Sequence, residues 1–182
     1  SLVWEERAKI SMTIMEMNDM SRIFLTNDMK QLFEFMKQMD KFYFEHPNLE
    51  QLWNDFLQLR EQTYTGKIEI DFTDMIYLVV KEKIMIAIQP YYLAIDEAQD
   101  LNIAQHEFID ILINQGDVHK WIAIGDRRQS IYGFSGAYGS SFDLFLEKDN
   151  VVELPLDVCY RCPSLIIDEA NKVYDVMTGY KK

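Results

Sequence analysis

In the stretch Tyr91-Tyr92-Leu93-Ala94-Ile95-Asp96-Glu97-Ala98-Gln99-Asp100, an apolar run of strand length stops at two adjacent carboxylates. Trp121-Ile122-Ala123-Ile124, followed by Gly125-Asp126-Arg127-Arg128-Gln129-Ser130-Ile131-Tyr132, repeats the pattern. Short apolar runs bounded by polar residues read as buried strands. Between them a helical pattern at about 103–115 is closed by Gly116. A strand, a crossover helix and a second strand imply a parallel pair with a right-handed connection. Each strand then releases its polar cluster at its carboxyl end, where an open α/β sheet holds its ligand.

Working outward, the strand–helix rhythm begins at Pro90, with strands expected at about 92–95, 121–124 and 151–154. A short helix is expected near 141–147 and a last one from Pro163, placed at the first helical position. Upstream the pattern is helical. Met29, Leu32, Phe33, Met36, Met39 and Tyr43 recur at three- and four-residue steps behind Thr26, Asn27 and Asp28 as caps. After Pro47-Asn48, the residues Leu49, Leu52, Trp53, Phe56 and Leu57 mark a second amphipathic helix. Residues 1–25 are methionine-rich and helical in pattern. These stripes read as core packing. Thr65-Gly66 breaks the pattern, and Asp71 caps a helix expected to carry Phe72, Met75, Ile76, Val79 and Val80 on one side. The boundary falls near residue 66: a helical segment over 1–66 and an α/β layer over 67–182.

With 182 residues, 48% of them hydrophobic and 13% aromatic, the chain can bury a core and is not a disordered one. Its apolar runs are far shorter than the roughly 20 residues that cross a bilayer, so no membrane partner is expected. No signal-peptide pattern opens it. The two cysteines, Cys159 and Cys162, exclude a disulfide scaffold and suit a reducing, cytoplasmic setting. Zinc would need two further ligands, and His46, His106 and His119 have no paired spacing; His106 reads as a surface residue. A net charge of −12 argues against broad electrostatic binding to nucleic acid. Contact with nucleic acid would rest on stacking and a few placed groups, or on basic surface elsewhere in a longer protein.

Adjacent carboxylates at a strand's end suit a magnesium–nucleotide site. Phosphoryl transfer needs charge neutralisation and a positioned water more than covalent chemistry. Asp96 is placed to hold Mg2+ through its waters, and Glu97 to orient or deprotonate the attacking water.

Asp96-Glu97-Ala98-Gln99-Asp100 resembles motif II of superfamily-one helicases of the UvrD/Rep/PcrA type. The segment from Gly125 to Ala137 resembles their motif III, and Leu154 through Cys162, containing Tyr160-Arg161, resembles motif IV. Asp71-Phe72-Thr73-Asp74 resembles an Asp-Phe-x-Asp segment upstream of motif II. Order and spacing agree over about 68–175, and the first 65 residues agree weakly.

The resemblance implies a part of a RecA-like P-loop NTPase domain, a parallel sheet with flanking helices, preceded by part of a helical insertion. It implies ATP and Mg2+ as cofactors, single-stranded DNA as partner, a DNA-repair-type setting and 3′-to-5′ movement. Asp96 would bind the metal, Glu97 act as base, Gln129 sense the γ-phosphate and Arg161 reach it, which suits a guanidinium's fixed charge and planar fork. Tyr132 and Phe134 fall where the family stacks bases on motif III aromatics. Each base so held contributes roughly 1–3 kcal/mol without sequence readout. The family's usual tryptophan and arginine are here Phe134 and Ser135, which weakens the grip expected at that point.

Four of the seven glycines lie in 125–139, yet the chain contains no Gly-x-x-x-x-Gly-Lys-Ser/Thr, so the phosphate loop is missing from this sequence. Ser1 in place of an initiator methionine fits a cut-out. The expectation is an internal piece of a helicase or translocase, inactive alone, whose remaining domains belong to the same polypeptide. Two rivals remain open: a stand-alone relic that binds a partner without catalysis, and part of a helicase–nuclease of the AddA/RecB kind.

Overall fold

The structure is a computed structural model that describes all residues except 1, 40, 42–47, 67–68, 88–90, 116–117, 131–140, 174–177 and 180–182. Among the described residues the elements run α1 (Leu2–Ile23), α2 (Met29–Gln38), α3 (Leu49–Tyr64), α4 (Phe72–Lys81), β1 (Tyr92–Ile95), α5 (Ile103–Gln115), β2 (Lys120–Ala123), α6 (Ser141–Leu146), β3 (Val158–Cys159), α7 (Ser164–Asn171) and β4 (Thr178–Gly179). The chain forms two compact units, residues 1–145 and 146–182. The architecture is helix-rich with small parallel sheets, consistent with an α/β class.

In the first unit α1 lies against α2, α3, α4 and α5. The apolar stripes pack in part as expected: Met17, Met20, Ile23 and Phe24 of α1 and its exit meet Leu32 and Met36 of α2 and Leu52 and Phe56 of α3, while Met12, Met15, Leu49 and Leu57 are exposed. Each such burial contributes roughly 1.5–3 kcal/mol. Asp28 and Asn48 cap α2 and α3 by accepting the N–H of Gln31 and Gln51 at 2.8 and 3.0 Å. Thr65 ends α3 and Gly66 follows with φ +69°, the left-handed conformation for which glycine pays no side-chain penalty.

Helix α4 departs from its sequence pattern. Phe72 (87% exposed) and Met75 face outward, while Asp74 and Tyr77 are buried. The reason is a charge buried in α1. Arg22 holds both oxygens of Asp71 at 2.9 Å, Asp74 Oδ1 at 2.6 Å, the Asp19 carboxylate and the backbone carbonyl of Asn18. Asp71 and Asp74 in turn accept each other's backbone N–H in a reciprocal cap. Tyr77 is drawn inward the same way. Its hydroxyl meets Arg60 and Tyr64, and the Arg60 guanidinium lies over the Phe56, Tyr64 and Tyr77 rings. Satisfying buried charge overrides the apolar stripe on this helix.

The strands β1 and β2 pair in parallel, Tyr92 with Lys120 through Ile95 with Ala123. Alternation places Leu93, Ile95, Trp121 and Ala123 toward a second core with Ile109 of α5 and Phe142 and Phe145 of α6, leaving Tyr92, Ala94 and Ile122 exposed. β2 starts one residue earlier than expected, and Gly116 lies outside the described residues. His106 corrects a sequence expectation. It is buried, not superficial, and its Nε2 lies 2.7 Å from Ser141 Oγ. That hydroxyl donates its single proton to the Ala98 carbonyl at 2.8 Å, so the imidazole Nε2 must be the donor. Ser141→Ala should therefore cost about 1–3 kcal/mol in urea unfolding, the penalty of stranding a buried donor. A change within measurement error would show that the bond carries nothing.

In the second unit the expected strand at 151–154 does not form. Val152 and Leu154 are exposed, and no neighbouring strand among the described residues supplies a ladder. Instead β3 and β4 pair in parallel, Val158 with Thr178 and Cys159 with Gly179. Pro163 takes the cap position of α7, one residue before the expected first turn.

Candidate functional site

β1 ends at Ile95, and the chain turns sharply. Ala98 N–H reaches the Ile124 carbonyl at 2.9 Å, and Ile124 N–H reaches the Ile95 carbonyl at 2.8 Å. The two strand ends are thus laced together just beyond the ladder. Asp96 and Glu97 are exposed on the turn, and Asp96 Oδ1 accepts Glu97 N–H at 3.0 Å. Glu97 sits at φ 50°, ψ 43°, a left-handed conformation that costs a non-glycine residue roughly 1–2 kcal/mol. Asp100 N–H closes the turn on the Glu97 carbonyl at 2.9 Å. Asn102 and Gln105 cap α5 reciprocally, each accepting the other's backbone N–H at 2.9 Å. The exit of the acidic turn is therefore fixed as well.

Gln99 is the residue that sequence reasoning missed. It is 2% exposed. Its Nε2 donates to Glu97 Oε2 at 2.7 Å, and its Oε1 accepts Asp126 N–H at 3.1 Å. Its carbonyl accepts Ser130 Oγ–H at 3.2 Å. Gly125 was also missed as a requirement. A Cβ there would fall 2.4 Å from Gln99 Oε1 and 3.1 Å from Ala98 N. The signal available was a glycine directly behind an apolar strand, the mark of close backbone approach.

Asp126 caps the turn Arg127–Gln129, accepting Arg128 N–H at 2.9 Å and Gln129 Nε2–H at 3.1 Å. Arg127 is anchored on α6 by Asp143 at 2.8 Å and lies over the Phe142 ring. Asp96, Glu97 and Gln129 are thus gathered at one rim, with Glu97 and Gln129 joined through Gln99 and Asp126. Arg161 is exposed in the second unit, on the turn between β3 and α7. Tyr132 and Phe134 lie outside the described residues.

Among the described residues no group of three or more His, Cys, Asp or Glu is placed to hold a metal ion. Magnesium does not need one, since it is usually held by one or two carboxylates together with substrate phosphates and water. The exposed Asp96 carboxylate at a strand end fits that demand. Cys159 and Cys162 are free thiols. Backbone N–H groups of Cys162 and Arg161 hold the Cys159 thiol below its ordinary range, while the hydrogen bond to Cys159 pushes Cys162 up.

This rim geometry accompanies clear sequence kinship. Residues 3–150 match the UvrD/REP helicase N-terminal domain family, and the chain belongs to that family. It is 29% identical over 131 residues to DNA helicase II of Haemophilus influenzae, covering 68% of this chain and 18% of that protein. It is 34% identical over 113 residues to the ATP-dependent DNA helicase PcrA of Leuconostoc citreum, covering 57% of this chain and 15% of that protein. To DNA helicase II of Escherichia coli it is 36% identical over 86 residues, covering 47% and 12%. The chain thus spans less than a fifth of the length of these relatives. No helix among the described residues is long and apolar enough to cross a membrane.

Proposed function

We propose that residues 1–182 are the part of an ATP-dependent DNA helicase or translocase that carries its hydrolytic rim, with 67–182 belonging to the first RecA-like domain and 1–66 to a helical insertion. One observation carries this reading: two parallel strands end side by side, and their acidic and amide side chains meet at a common edge. Bound ATP with Mg2+ would supply the reactive γ-phosphate. Asp96 would hold the metal through its waters, and Glu97 would take a proton from the attacking water. Gln129 would meet the γ-phosphate, and Arg161 would neutralise charge there from motif IV. Tyr132 and Phe134 would stack single-stranded DNA, and movement would run 3′ to 5′.

In the protein that joins this segment to a phosphate loop, magnesium-dependent ATP turnover should rise on adding single-stranded DNA. The purified 1–182 chain should show none, because its sequence has no phosphate loop. Turnover indifferent to DNA, or robust hydrolysis by 1–182 alone, contradicts the reading.

A further inference from the structure

We propose that Gln99 is a positioning residue, whose side-chain amide orients the Glu97 carboxylate and ties it to the end of β2. The proposal rests on Glu97 acting as the base. Its foundation is a continuous path of hydrogen bonds: Glu97 Oε2 to Gln99 Nε2 (2.7 Å), Gln99 Oε1 to Asp126 N–H (3.1 Å), and Asp126 Oδ2 to Gln129 Nε2 (3.1 Å). The path joins the two groups to which the proposed function gives the attacking water and the γ-phosphate.

The amide can sit only one way. A carboxylate offers no proton, so it must face the NH2 group; a backbone N–H offers no lone pair, so it must face the carbonyl oxygen. Burial removes water as an alternative partner for either end. Gly125 keeps the space open, since any side chain there collides with Oε1. A side-chain amide supplies a donor toward Glu97 and an acceptor toward Asp126 at once, from two atoms far enough apart to reach both. A displacement of the β2 end, where Asp126 begins the turn that carries Gln129, is thereby transmitted to the carboxylate of Glu97. The acidic neighbour Asp100 accepts from the same Nε2 at a longer 3.4 Å, leaving Glu97 as the close partner.

The test uses the ATP-hydrolysing protein that carries this segment, with Gln99→Ala, Gln99→Glu, Gly125→Ala and Glu97→Gln compared under single-stranded DNA stimulation. Gln99→Ala should lower kcat about 10–100-fold, the usual effect of losing a partner that orients a reacting group, and leave KM for ATP unchanged. Gln99→Glu keeps the side-chain shape but sets a carboxylate against Glu97. It should lower kcat at least as far as Gln99→Ala does and leave KM for ATP unchanged, because a like charge displaces the Glu97 carboxylate. An amide that only supports the fold would lower the unfolding midpoint and leave the kcat of the folded enzyme at wild type. Gly125→Ala should reproduce the kcat loss without altering either partner, and it reads the same path if Gln99→Ala does not fold. Wild-type kcat in Gln99→Ala and Gly125→Ala beside an inactive Glu97→Gln overturns the role of Gln99 alone. An active Glu97→Gln overturns the base assignment beneath it.

Discussion

Replacing Glu97 by glutamine, in the protein that combines this segment with a phosphate loop, is expected to lower ATP turnover by about 10²–10⁴-fold, the span that a positioned general base contributes. Nucleotide affinity, read with a fluorescent ATP analogue, should stay near wild type. Glutamine keeps the size of the side chain but cannot take the proton of the attacking water. It also turns an acceptor for Gln99 Nε2 into a group that offers an NH2 of its own, although its carbonyl can still face Gln99. The backbone at φ 50° tolerates the two residues alike. The loss should therefore appear in kcat and not in thermal stability. Undiminished turnover would refute the assignment of Glu97.

Arg22→Ala is expected to have the largest effect on stability. Removing one member of a buried ion cluster costs about 3–5 kcal/mol, because the partner is left charged and desolvated. Here that partner is Asp74, 2% exposed, with Asp71 bridging toward solvent. Against a typical domain stability of roughly 5–15 kcal/mol, such a loss is about a fifth or more. The urea midpoint measures it. Arg22→Met combined with Asp74→Asn should recover a good part of the loss, since no unpaired charge then remains inside. Equal midpoints for wild type and Arg22→Ala would mean that the cluster is not a determinant of the fold.

The same cluster sets an acid dependence. Burial alone would raise the Asp71 carboxyl, yet its hydrogen bonds from Arg22 and from backbone N–H groups hold it below the ordinary 3.8. A carboxyl lowered by folding adds stability that is fully present above its unfolded value and is lost as pH falls through its folded one. The Asp71 contribution therefore survives to pH 3.8 and disappears below it. Asp19 has the opposite sign. Burial raises it, Arg22 only partly offsetting this, so its contribution is fully present below 3.8 and is lost as pH rises through the raised value.

Sequence reading reached the elements whose cause is local. Asp28 and Asp71 cap the helices they precede, the helix expected after Pro47-Asn48 forms as α3, and β1, α5 and α6 fall where periodicity and punctuation put them. It failed where distant groups decide. α4 turns its polar Asp74 inward for a guanidinium contributed by α1, far earlier in the chain. His106 is buried because a hydroxyl of α6 meets it. The stretch 151–154 has strand-forming residues but no partner ladder among the described residues, and a strand is a pairwise object. At the candidate site, the place of Asp96 and Glu97 directly behind a strand was legible from the apolar run before them. Gln99 and Gly125 were not, because a buried amide and a close approach acquire meaning only when two strand ends lie side by side.

One face of the β1–β2 pair, with Tyr92 and Ile122, has consequences for handling the protein. Among the described residues β1 and β2 pair only with each other, and open strand edges beside bare aromatic surface invite edge-to-edge aggregation between copies. A net charge of −12 opposes that approach by mutual repulsion. Repulsion is screened over about 8 Å at physiological ionic strength. Added salt therefore removes the barrier while leaving the apolar attraction in place, and low ionic strength is the condition in which separate copies keep apart.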